Sequence, residues 1–450
     1  MILYEKFIKI PFSNQNQTHF EYLKTEVEKQ LQPDEAPVRL IITKSEENAY
    51  HCEIGILKGL ENSILNNEGS IFSFKKRKFG PGSQFNVVLM IPTGIGAEIG
   101  GHAGDAGPVA KLFASLCDYL ITHPNVVNAS DINELPANGM YVEGSSLTRF
   151  LMGTIGLRKV RSNRILLIVD NLHEDPRSVN ESINALNAAR ATYGLDCSLV
   201  VKLDPPLKVI LEQTVSGRSS GTLGNLEGLI EALNFYADQY DAVALSTKFE
   251  TIPERYLDYF LNSGNSVNPW GGLESLLTHT ISLLYPIPSA HSPMAEFNID
   301  PYDTLIETTI EPRLAAEWIS KTYMQCILKG LQNSPKIITE PDRLSLSDMI
   351  TANDISSLVI PDGCLGLPVL AALHQGITVI AVKENKNLMN NDLMSLPWKN
   401  GQFYRVENYL EAAGLLSAIK AGITPLSVRR PIEKATVVTH CANESNSCLN

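Results

Sequence analysis

The chain has 450 residues, more than a single hydrophobic core usually serves, so two or three domains are expected. Hydrophobic residues make up 44% of it and charged residues 19%, as in globular proteins that bury a sizeable core. Its net charge is −12, and no run of Lys and Arg is longer than KKRK. This excludes a general nucleic-acid surface, which requires concentrated positive charge, so nucleic acid is not expected as a partner.

The amino-terminal residues and the cysteines bear on the location of the protein. MILYEKFIKIPF contains Glu5 and lacks the continuous apolar run of a signal peptide, so we expect a strand there. No apolar run reaches the roughly eighteen residues that would cross a membrane. The seven cysteines are scattered without a CxxC pair, which favours a reducing compartment. The prediction is therefore a cytoplasmic protein with no membrane partner.

Four regions follow one another along the chain. Residues 1–82 alternate strand-like segments with one helical stretch, HFEYLKTEVEKQL, and predict a small N-terminal α/β lobe. Residues 83–300 repeat the order strand, glycine-rich loop, helix, which predicts a central Rossmann-like α/β domain. Residues 301–436 open with a long helix, EPRLAAEWISKTYMQCILKGL, and predict a C-terminal α/β domain. Residues 437–450 form a polar tail.

The strands of the central region are short, apolar and rich in β-branched residues, as in parallel sheets that are buried on both faces. The segments with this character are NVVLMI, DYLIT, RILLIVD, CSLVV, KVILEQ and DAVALS. Between RILLIVD and CSLVV, the segment NESINALNAARATYG predicts a crossover helix that ends at Gly194. The predicted fold class is α/β and multi-domain, with Rossmann-like, mostly parallel sheets built from strand–glycine-loop–helix units.

The loop IPTGIGAEIGGHAGDAGP (91–108) follows the first central strand and precedes a helix. In an open parallel sheet, ligands bind beyond the carboxyl ends of the strands, so this loop is a candidate anion site. Its spacing matches neither the GxGxxG nor the GxxxxGKS/T pattern, so a standard dinucleotide or P-loop site is not predicted. The residues expected to approach the ligand are Thr93, Gly94, Gly96, Gly100 and Gly101.

Three ionisable side chains lie within this loop, Glu98, His102 and Asp105. Such groups are costly in a purely structural turn, so they are candidate acid–base catalysts. His102 and Asp105, together with His123, leave a divalent metal open as a cofactor. An alternative for Asp105 is to cap the following helix, which has Pro108 in its first turn. We expect the loop as a whole to be functional.

The next strand ends in THPNVVNASDIN (122–133), a dense group of hydrogen-bonding side chains. The proline after His123 holds this histidine in an extended conformation, and its polar neighbours make it a candidate general acid or base. The neighbours expected to bind substrate are Asn125, Asn128 and Asp131. Farther on, Arg149 is expected to bind a carboxylate or phosphate, with an ion pair to Glu143 as the alternative.

A second glycine-rich segment, QTVSGRSSGTLGN (213–225), places Ser216 and Arg218 before a helical stretch. By composition it is the best phosphate-type site of the chain, although flexible surface loops have a similar composition. Downstream, His279 lies on an apolar helix and is interpreted as structural. His291, in the proline-rich segment PSAHSPM, is a candidate substrate contact.

PDGCLGLP (361–368) places Cys364 at the start of a helix, where the helix terminus would favour a thiolate nucleophile. The alternative is an inert buried cysteine, since no partner histidine is identifiable from the sequence. VKENKN (382–387) offers Lys383 and Asn385 at the carboxyl end of the next strand. Both are expected to meet an anionic substrate, with a surface ion pair as the alternative for Lys383.

Long strings of this sequence resemble an uncharacterised protein family, a domain of unknown function that is common in photosynthetic bacteria and present in plants. The resemblance covers about residues 85–435 and implies no activity. The strings that carry it are IPTGIGAEIGGHAGDAGPVAKLFASLCDYLITHPNVVNASDIN, EGSSLTRFLMGTIGL, NPWGGLESLLTH, SAHSPM and PDGCLGLPVLAALHQGITVIAVKEN.

These patterns predict an enzyme of small-molecule metabolism whose partner is a small anionic metabolite, bound in a cleft between α/β regions. A lyase, isomerase or transferase is favoured over an oxidoreductase, because no dinucleotide fingerprint is present. The alternative is a non-catalytic protein that senses a metabolite or nucleotide with the same loops. Convergence of Glu98, His102 and His123 at one pocket would favour catalysis. The sequence leaves a homo-oligomer open.

Overall fold

A computed structural model of the chain provides the fold. It describes residues 1–12, 19–59, 70–129, 132–133, 135–249, 258–261, 266–294, 309–320, 323–340, 348–432, 434–439 and 448–449. The strands up to residue 224 are β1 Ile2–Pro11, β2 Glu35–Glu46, β3 Ala49–Lys58, β4 Asn86–Leu89, β5 Tyr119–Thr122, β6 Asn128–Ala129, β7 Ile132–Asn133, β8 Gly139–Tyr141, β9 Gly156–Arg158, β10 Ile165–Asp170, β11 Leu199–Leu203, β12 Lys208–Gln213 and β13 Ser219–Gly224. The later strands are β14 Ala242–Thr247, β15 Ser289–Pro293, β16 Lys336–Ile338, β17 Met349–Ile350, β18 Ile355–Pro361, β19 Leu365–Gly366, β20 Thr378–Val382, β21 Phe403–Val406, β22 Val438–Thr439 and β23 Cys448–Leu449.

Helices connect these strands and cover the sheets. The α-helices are α1 His19–Glu28, α2 Gly107–Ala114, α3 Pro124–Val127, α4 Gly144–Leu151, α5 Pro176–Tyr193, α6 Leu226–Phe235, α7 Gly271–Leu284, α8 Pro312–Trp318, α9 Met324–Gln332, α10 Leu367–Gln375 and α11 Tyr409–Lys420. Short 3₁₀ turns occupy Ala237–Gln239, Ala352–Asp354, Leu393–Ser395 and Pro425–Val428.

A six-stranded parallel sheet has the order β21-β20-β18-β4-β5-β8. Its central strands are buried on both faces, which is why NVVLMI and SSLVIP are continuous apolar runs. From β4 the chain proceeds outward to β5 and β8, and from β18 it proceeds outward on the other side to β20 and β21. The strand order therefore reverses between β4 and β18, and this position is the topological switch point of the sheet.

A second parallel sheet has the order β11-β10-β14-β15. Its strands β10 and β14 are fully buried, and α5 runs from Pro176 to Tyr193 beside it. Helix α5 ends at Gly194, which has a left-handed conformation with φ 66°, as the sequence predicts. The two sheets confirm an α/β fold with parallel sheets.

A third sheet is antiparallel, with the order β12-β13-β1-β3-β2-β19. The expectation that KVILEQ is a buried parallel strand is wrong, because β12 is an edge strand of this sheet with exposed or half-buried side chains. QTVSGRSSGTLGN is correspondingly the turn and second strand of a β12–β13 hairpin. Gly217, with φ 86°, provides the left-handed residue of the turn.

Strand pairing crosses the boundaries predicted at residues 82 and 300. Strand β1 pairs with β13, and β4 pairs with β18, so each sheet joins segments that are far apart in the sequence. Strand pairing does not test which segments fold independently, so the division into domains stays a prediction. The long helix predicted at the start of the third region is two helices, α8 and α9, because α8 ends at Trp318.

Candidate functional site

A cavity of about 140 Å³ lies at the topological switch point. Thr93, which follows β4, and Cys364, which follows β18, both line it. In doubly wound sheets this crevice is the usual place for a ligand. Side chains from residues 38–41 close it on the side of the antiparallel sheet. All three regions predicted from the sequence therefore contribute to this first cavity.

The lining of the first cavity is mostly apolar, with one polar end. The apolar residues include Leu40, Ile71, Met90, Ile360 and Leu367. The polar end is formed by Arg39, Thr93, His123, Ser145, Thr148, Arg149, Ser275 and His279. A cavity of this size accepts a group about as large as benzene, so a small molecule with an apolar body and a polar group fits it.

A second cavity, of about 130 Å³, adjoins the first. The residues that line both cavities are Thr93, His123, Gly144, Ser275 and His279. The ionisable residues of the second cavity are His102, His123, His279, His291, Glu143, Glu274 and Glu317. No Lys or Arg occurs among its described lining residues. The wall that the two cavities share therefore contains two histidines.

Glu143 is fixed at the start of α4. Its carboxylate accepts hydrogen bonds from the backbone N–H groups of Ser145 and Ser146, at 3.0 and 2.9 Å. Its Oε1 also lies 2.6 Å from Nδ1 of His279, although the N–H of that nitrogen is not aligned for a hydrogen bond. Burial alone would raise the pKa of Glu143, but the charge of His279 and these hydrogen bonds lower it to about 2. Glu143 is therefore held as a carboxylate beside the imidazole of His279.

His123 lies on the shared wall as a neutral imidazole. Its backbone is extended, as the following proline predicts, and the N–H of Ile91 donates to its Nε2 at 3.0 Å. Because Nε2 accepts, the proton of the neutral ring is on Nδ1. Burial lowers the pKa of His123 to about 4, which keeps the ring neutral at physiological pH.

His291 lies on β15 against the second cavity. Its Nε2 is 2.7 Å from Oγ1 of Thr247, and its ring stacks on Phe249. Its Nδ1 lies 3.2 Å from Oε1 of Glu274, but neither atom makes a hydrogen bond of acceptable geometry within the described residues. Two buried polar atoms at a cavity wall are thus left unsatisfied, which is costly without a ligand.

His102 lines the second cavity and belongs to a buried polar group. Its Nδ1 is 2.9 Å from the hydroxyl of Tyr259, and that hydroxyl donates to Oε2 of Glu317 at 2.8 Å. Asn268 donates to Oε1 of Glu317 at 3.1 Å. Burial raises the pKa of Glu317 to about 7. His102 is therefore held by protein partners, and its predicted catalytic role stays a prediction.

In the glycine-rich loop 91–108, several backbone N–H groups have protein acceptors, and the anion contact expected of the loop stays a prediction. The N–H of Glu98 donates to the carbonyl of Lys386, and that of Ile99 donates to Oδ1 of Asn385. Some of the glycines permit close packing. A Cβ on Gly101 would lie 2.0 Å from the carbonyl oxygen of Ala97. Thr93, Gly94 and Gly101 line the cavities, whereas Gly96 and Gly100 do not.

The two carboxylates of this loop are separate from the cavities. Asp105 does not cap α2, since no side chain caps that helix; its Oδ1 accepts from the N–H of Gly100 at 2.7 Å. Burial raises the pKa of Asp105 to about 7. The exposed Glu98 pairs with Arg313 at 3.2 Å. The structure thus does not bring Glu98 or Asp105 to the wall that His123 occupies.

The asparagines after β5 lie at the second cavity. Asn125 donates to the carbonyl oxygens of Ile91 and Gly100, and Asn128 accepts from the hydroxyl of Tyr141. Both line the cavity, so a substrate contact stays a prediction for each. Asp131 lies outside the described residues.

The predicted arginines differ in placement. Arg149 lines the first cavity and donates from Nη1 to the carbonyl of Ser282 at 2.8 Å; the alternative ion pair with Glu143 is not among the described contacts. Arg218 is fully buried and pairs with Glu53 and Glu5. It belongs to an ion network in the antiparallel sheet, so it is not the anion clamp that the loop composition predicted. Ser216 lies in the same hairpin turn and donates its N–H to Glu53.

The C-terminal candidates have mainly structural partners. Cys364 lines the first cavity, but burial raises the pKa of its thiol far above the ordinary value, which disfavours a thiolate nucleophile. Lys383 forms a surface ion pair with Glu407 at 2.6 Å, the alternative that the sequence left open. Asn385 is fully buried and bonds the backbone of Ile99 and the hydroxyl of Tyr409.

The described part of the chain holds no preformed metal site. Among these residues, no group of three or more His, Cys, Asp or Glu side chains is arranged to hold a metal ion. The three metal candidates each have another partner: Tyr259 for His102, Gly100 for Asp105 and Ile91 for His123. The donor set predicted for a divalent metal therefore does not fit one.

Sequence reasoning missed His279 and Glu143 as central residues of the site. His279 stands in the apolar helix α7, where helical periodicity favours a core position. The sequence signal that points to it is Gly144, the first residue of α4, because a Cβ there would lie 3.1 Å from Cε1 of His279. A glycine directly after an acidic residue is too common a pattern to identify such a contact.

Comparisons with known proteins place the chain in a family without an established function. A curated relative, an uncharacterised lipoprotein of Synechococcus sp., is 32% identical over 372 residues, which cover 81% of this chain and 99% of the relative. No solved structure matches the chain. The relative's name contradicts the prediction of a cytoplasmic protein, which is therefore wrong. In the described residues, no helix is long and apolar enough to span a bilayer. The family model described as protein of unknown function (DUF3326) matches residues 86–429, close to the span expected from the resemblance, and the chain belongs to that family.

Proposed function

We propose that this protein is an enzyme that acts by acid–base chemistry on a small anionic molecule bound across the two cavities. The observation that supports it best is the composition of the shared wall. His123 and His279 both lie there, and Oε1 of Glu143 is 2.6 Å from Nδ1 of His279. Two proton-transfer groups with different environments on one cavity wall are a common arrangement for acid–base catalysis.

The two histidines have complementary roles in this proposal. His279 takes a proton from the substrate, and the adjacent carboxylate of Glu143 stabilises the imidazolium that forms. His123 stays neutral and donates its Nδ1–H to a substrate oxygen, since its Nε2 is occupied by the N–H of Ile91. Such a pair suits proton abstraction beside a carbonyl or carboxylate, which a lyase, an isomerase or a transferase uses.

Arg149 is the group proposed to bind the anionic part of the substrate. It lines the polar end of the first cavity, and among the described contacts only its Nη1 is engaged, with the carbonyl of Ser282. The described lining of the first cavity contains Arg39 and Arg149 but no Asp or Glu, and since Arg39 is paired with Glu5, the charge of Arg149 is in excess. This excess favours a carboxylate or phosphate at the polar end.

The test is solvent deuterium exchange with a mixture of small carboxylates and phosphate esters. The protein is incubated in deuterium oxide, and mass spectrometry detects metabolites whose C–H hydrogen has been replaced. We expect exchange into at least one compound, reduced at least a hundredfold in His279→Ala and in His123→Ala. The exposed His173, which pairs with Asp204 at 2.9 Å, provides the control variant His173→Ala. Absence of exchange into every compound would contradict the proposal.

A second candidate is a metabolite sensor without catalysis, and one observation favours it. Glu98 and His102, two of the three groups whose convergence would indicate catalysis, are engaged with Arg313 and Tyr259. A sensor would bind a compound of the same mixture and raise the melting temperature without exchanging its hydrogens. A ligand at one hundred times its Kd stabilises by about 2.7 kcal/mol, so binding without exchange is easily detected.

A further inference from the structure

We infer that the second cavity is the subsite for a protonated amine, so that the substrate is a small molecule that carries both an ammonium group and a carboxylate. This inference rests on the proposed function, since it assigns a further part of the same substrate. The charge of the cavity, the unsatisfied atoms of His291 and Glu274, and the position of the shared wall support it.

The charge of the second cavity favours a cation. Its described lining contains Glu143, Glu274 and Glu317 but no Lys or Arg. Glu143 faces the imidazole of His279, and Glu274 and Glu317 are the other two carboxylates of this lining. Burial and the charge of Glu274 both raise the pKa of Glu317. A cation between these two carboxylates would remove this repulsion.

The unsatisfied atoms of His291 and Glu274 determine which hydrogen-bonding groups the cation needs. His291 is 8% exposed, and its Nε2 is 2.7 Å from the hydroxyl of Thr247. When Nε2 donates to that hydroxyl, Nδ1 is a hydrogen-bond acceptor. Nδ1 and Oε1 of Glu274 are then two acceptors 3.2 Å apart, and neither has an aligned donor within the described residues. An ammonium group supplies several N–H donors and a positive charge to both atoms.

The position of the two cavities connects this subsite to the chemistry. His123 and His279 lie between the second cavity and the first, where Arg149 stands at the polar end. A molecule with its amine at His291 and its carboxylate at Arg149 has its intervening carbon atoms at the shared wall. The substrate class is therefore an amino acid or another small amino carboxylate, with an apolar portion in the first cavity.

Calorimetry with matched pairs of compounds tests this inference. L-Leucine is compared with 4-methylpentanoate, and 5-aminopentanoate with pentanoate, because each pair differs only in the amine. We expect at least one amine to bind at least tenfold more tightly than its partner at pH 7.5. Glu274→Gln and His291→Gln should abolish that difference. Glu231→Gln, which removes an exposed carboxylate on α6, should leave it unchanged.

Three outcomes would overturn the inference. They are equal binding within both pairs, no binding by either amine, and tight binding of Zn²⁺ or Mn²⁺ that depends on Glu274 without any amine preference. Melting temperatures of the Glu274 and His291 variants establish that each is folded. The two proposals can fail separately. An amine preference without deuterium exchange would support the amine subsite and contradict the proposed enzyme activity. Exchange without an amine preference would support the enzyme activity and contradict the subsite.

Discussion

The local contacts of His123 indicate its protonation state in the folded chain. The backbone N–H of Ile91 donates to Nε2, and burial lowers the pKa from 6.5 to about 4. The unfolded chain therefore binds a proton at a higher pH than the folded chain, and stability falls as the pH drops from 6.5 towards 4. The shift of this one group corresponds to at most about 3 kcal/mol.

We expect His123→Gln to lose less free energy of unfolding than the wild type between pH 7 and pH 4. A glutamine carbonyl can still accept from the N–H of Ile91 but takes up no proton. Urea unfolding at a series of pH values measures the difference. If both proteins have the same pH dependence, His123 is not a buried neutral imidazole.

Asp105 makes the stability depend on pH in the opposite direction to His123, because burial raises the pKa of its carboxyl group from 3.8 to about 7. Its contribution to stability is complete below pH 3.8 and is lost as the pH rises through 7. We expect Asp105→Asn, which keeps an acceptor for the N–H of Gly100, to stabilise the protein at pH 8 by up to about 4 kcal/mol. At pH 4 the variant and the wild type should unfold at nearly the same urea concentration. Equal stability at pH 8 would show that Asp105 is ionised at no cost.

At this scale, sequence reasoning selected several residues that line a cavity, but it did not identify the partner of each side chain. His123, Asn125 and Asn128 were selected because they follow a buried strand, and His291 was selected because it lies in a proline-rich segment; all four line a cavity. Arg218 was selected for its glycine-rich neighbours, yet it pairs with Glu53 from a strand far away in the chain. The residues next to Arg218 in the sequence do not reveal its long-range partner. The composition of the segment therefore suggested an anion site where the structure has a buried ion network.

At the scale of elements, the start of α7 is where the antiparallel sheet and the site meet. A Cβ on Gly272 would lie 1.8 Å from the carbonyl oxygen of Ser219 on β13. The N–H of Gly272 donates to Oγ of the same serine at 3.0 Å, and Ser275, one turn later, lines both cavities. The helix can approach the sheet this closely only because residue 272 has no side chain.

We expect Gly272→Ala to lower the free energy of unfolding by at least about 2 kcal/mol, because the clash is with backbone rather than with a flexible side chain. Gly228→Ala on α6 is the matched control, since no atom lies within 4 Å of its added Cβ. That variant should be stabilised by about 0.5–1 kcal/mol, because alanine is the better helix former. Thermal melting of both variants checks this. Equal effects of the two substitutions would contradict the close approach of α7.

Elements with a clear hydrophobic pattern were predicted well. Elements whose position in a sheet depends on tertiary contacts were not. Helix α5 and the buried strands of the parallel sheets follow from hydrophobic pattern and Gly194. The β12–β13 hairpin was missed because KVILEQ is apolar enough for a buried strand, while its exposure depends on its edge position. Hydrophobicity predicts that a segment is a strand, but the neighbouring strand decides which sheet it joins.

At the scale of the molecule, the site depends on segments that are distant in the sequence. The switch point exists because β18 pairs with β4 more than two hundred residues earlier, with Val359 opposite Leu89. Pattern alone predicts parallel strands but not this pairing, so the site was expected between domains rather than at the centre of one sheet. Residues of all three predicted regions line the first cavity, and none of those regions contains it completely.

This arrangement predicts that residues 83–300, the central domain expected from the sequence, do not fold by themselves. Without β18, the fully buried strand β4 would become an unpaired edge, and without β1 the β12–β13 hairpin would lose its neighbour in the sheet. We expect this fragment to unfold in urea without a cooperative transition. Residues 1–436 are the control, because β22 and β23 in the removed tail pair with each other. The control should match the full chain in its unfolding midpoint, whereas a cooperative transition of the fragment would support the domain division predicted from the sequence.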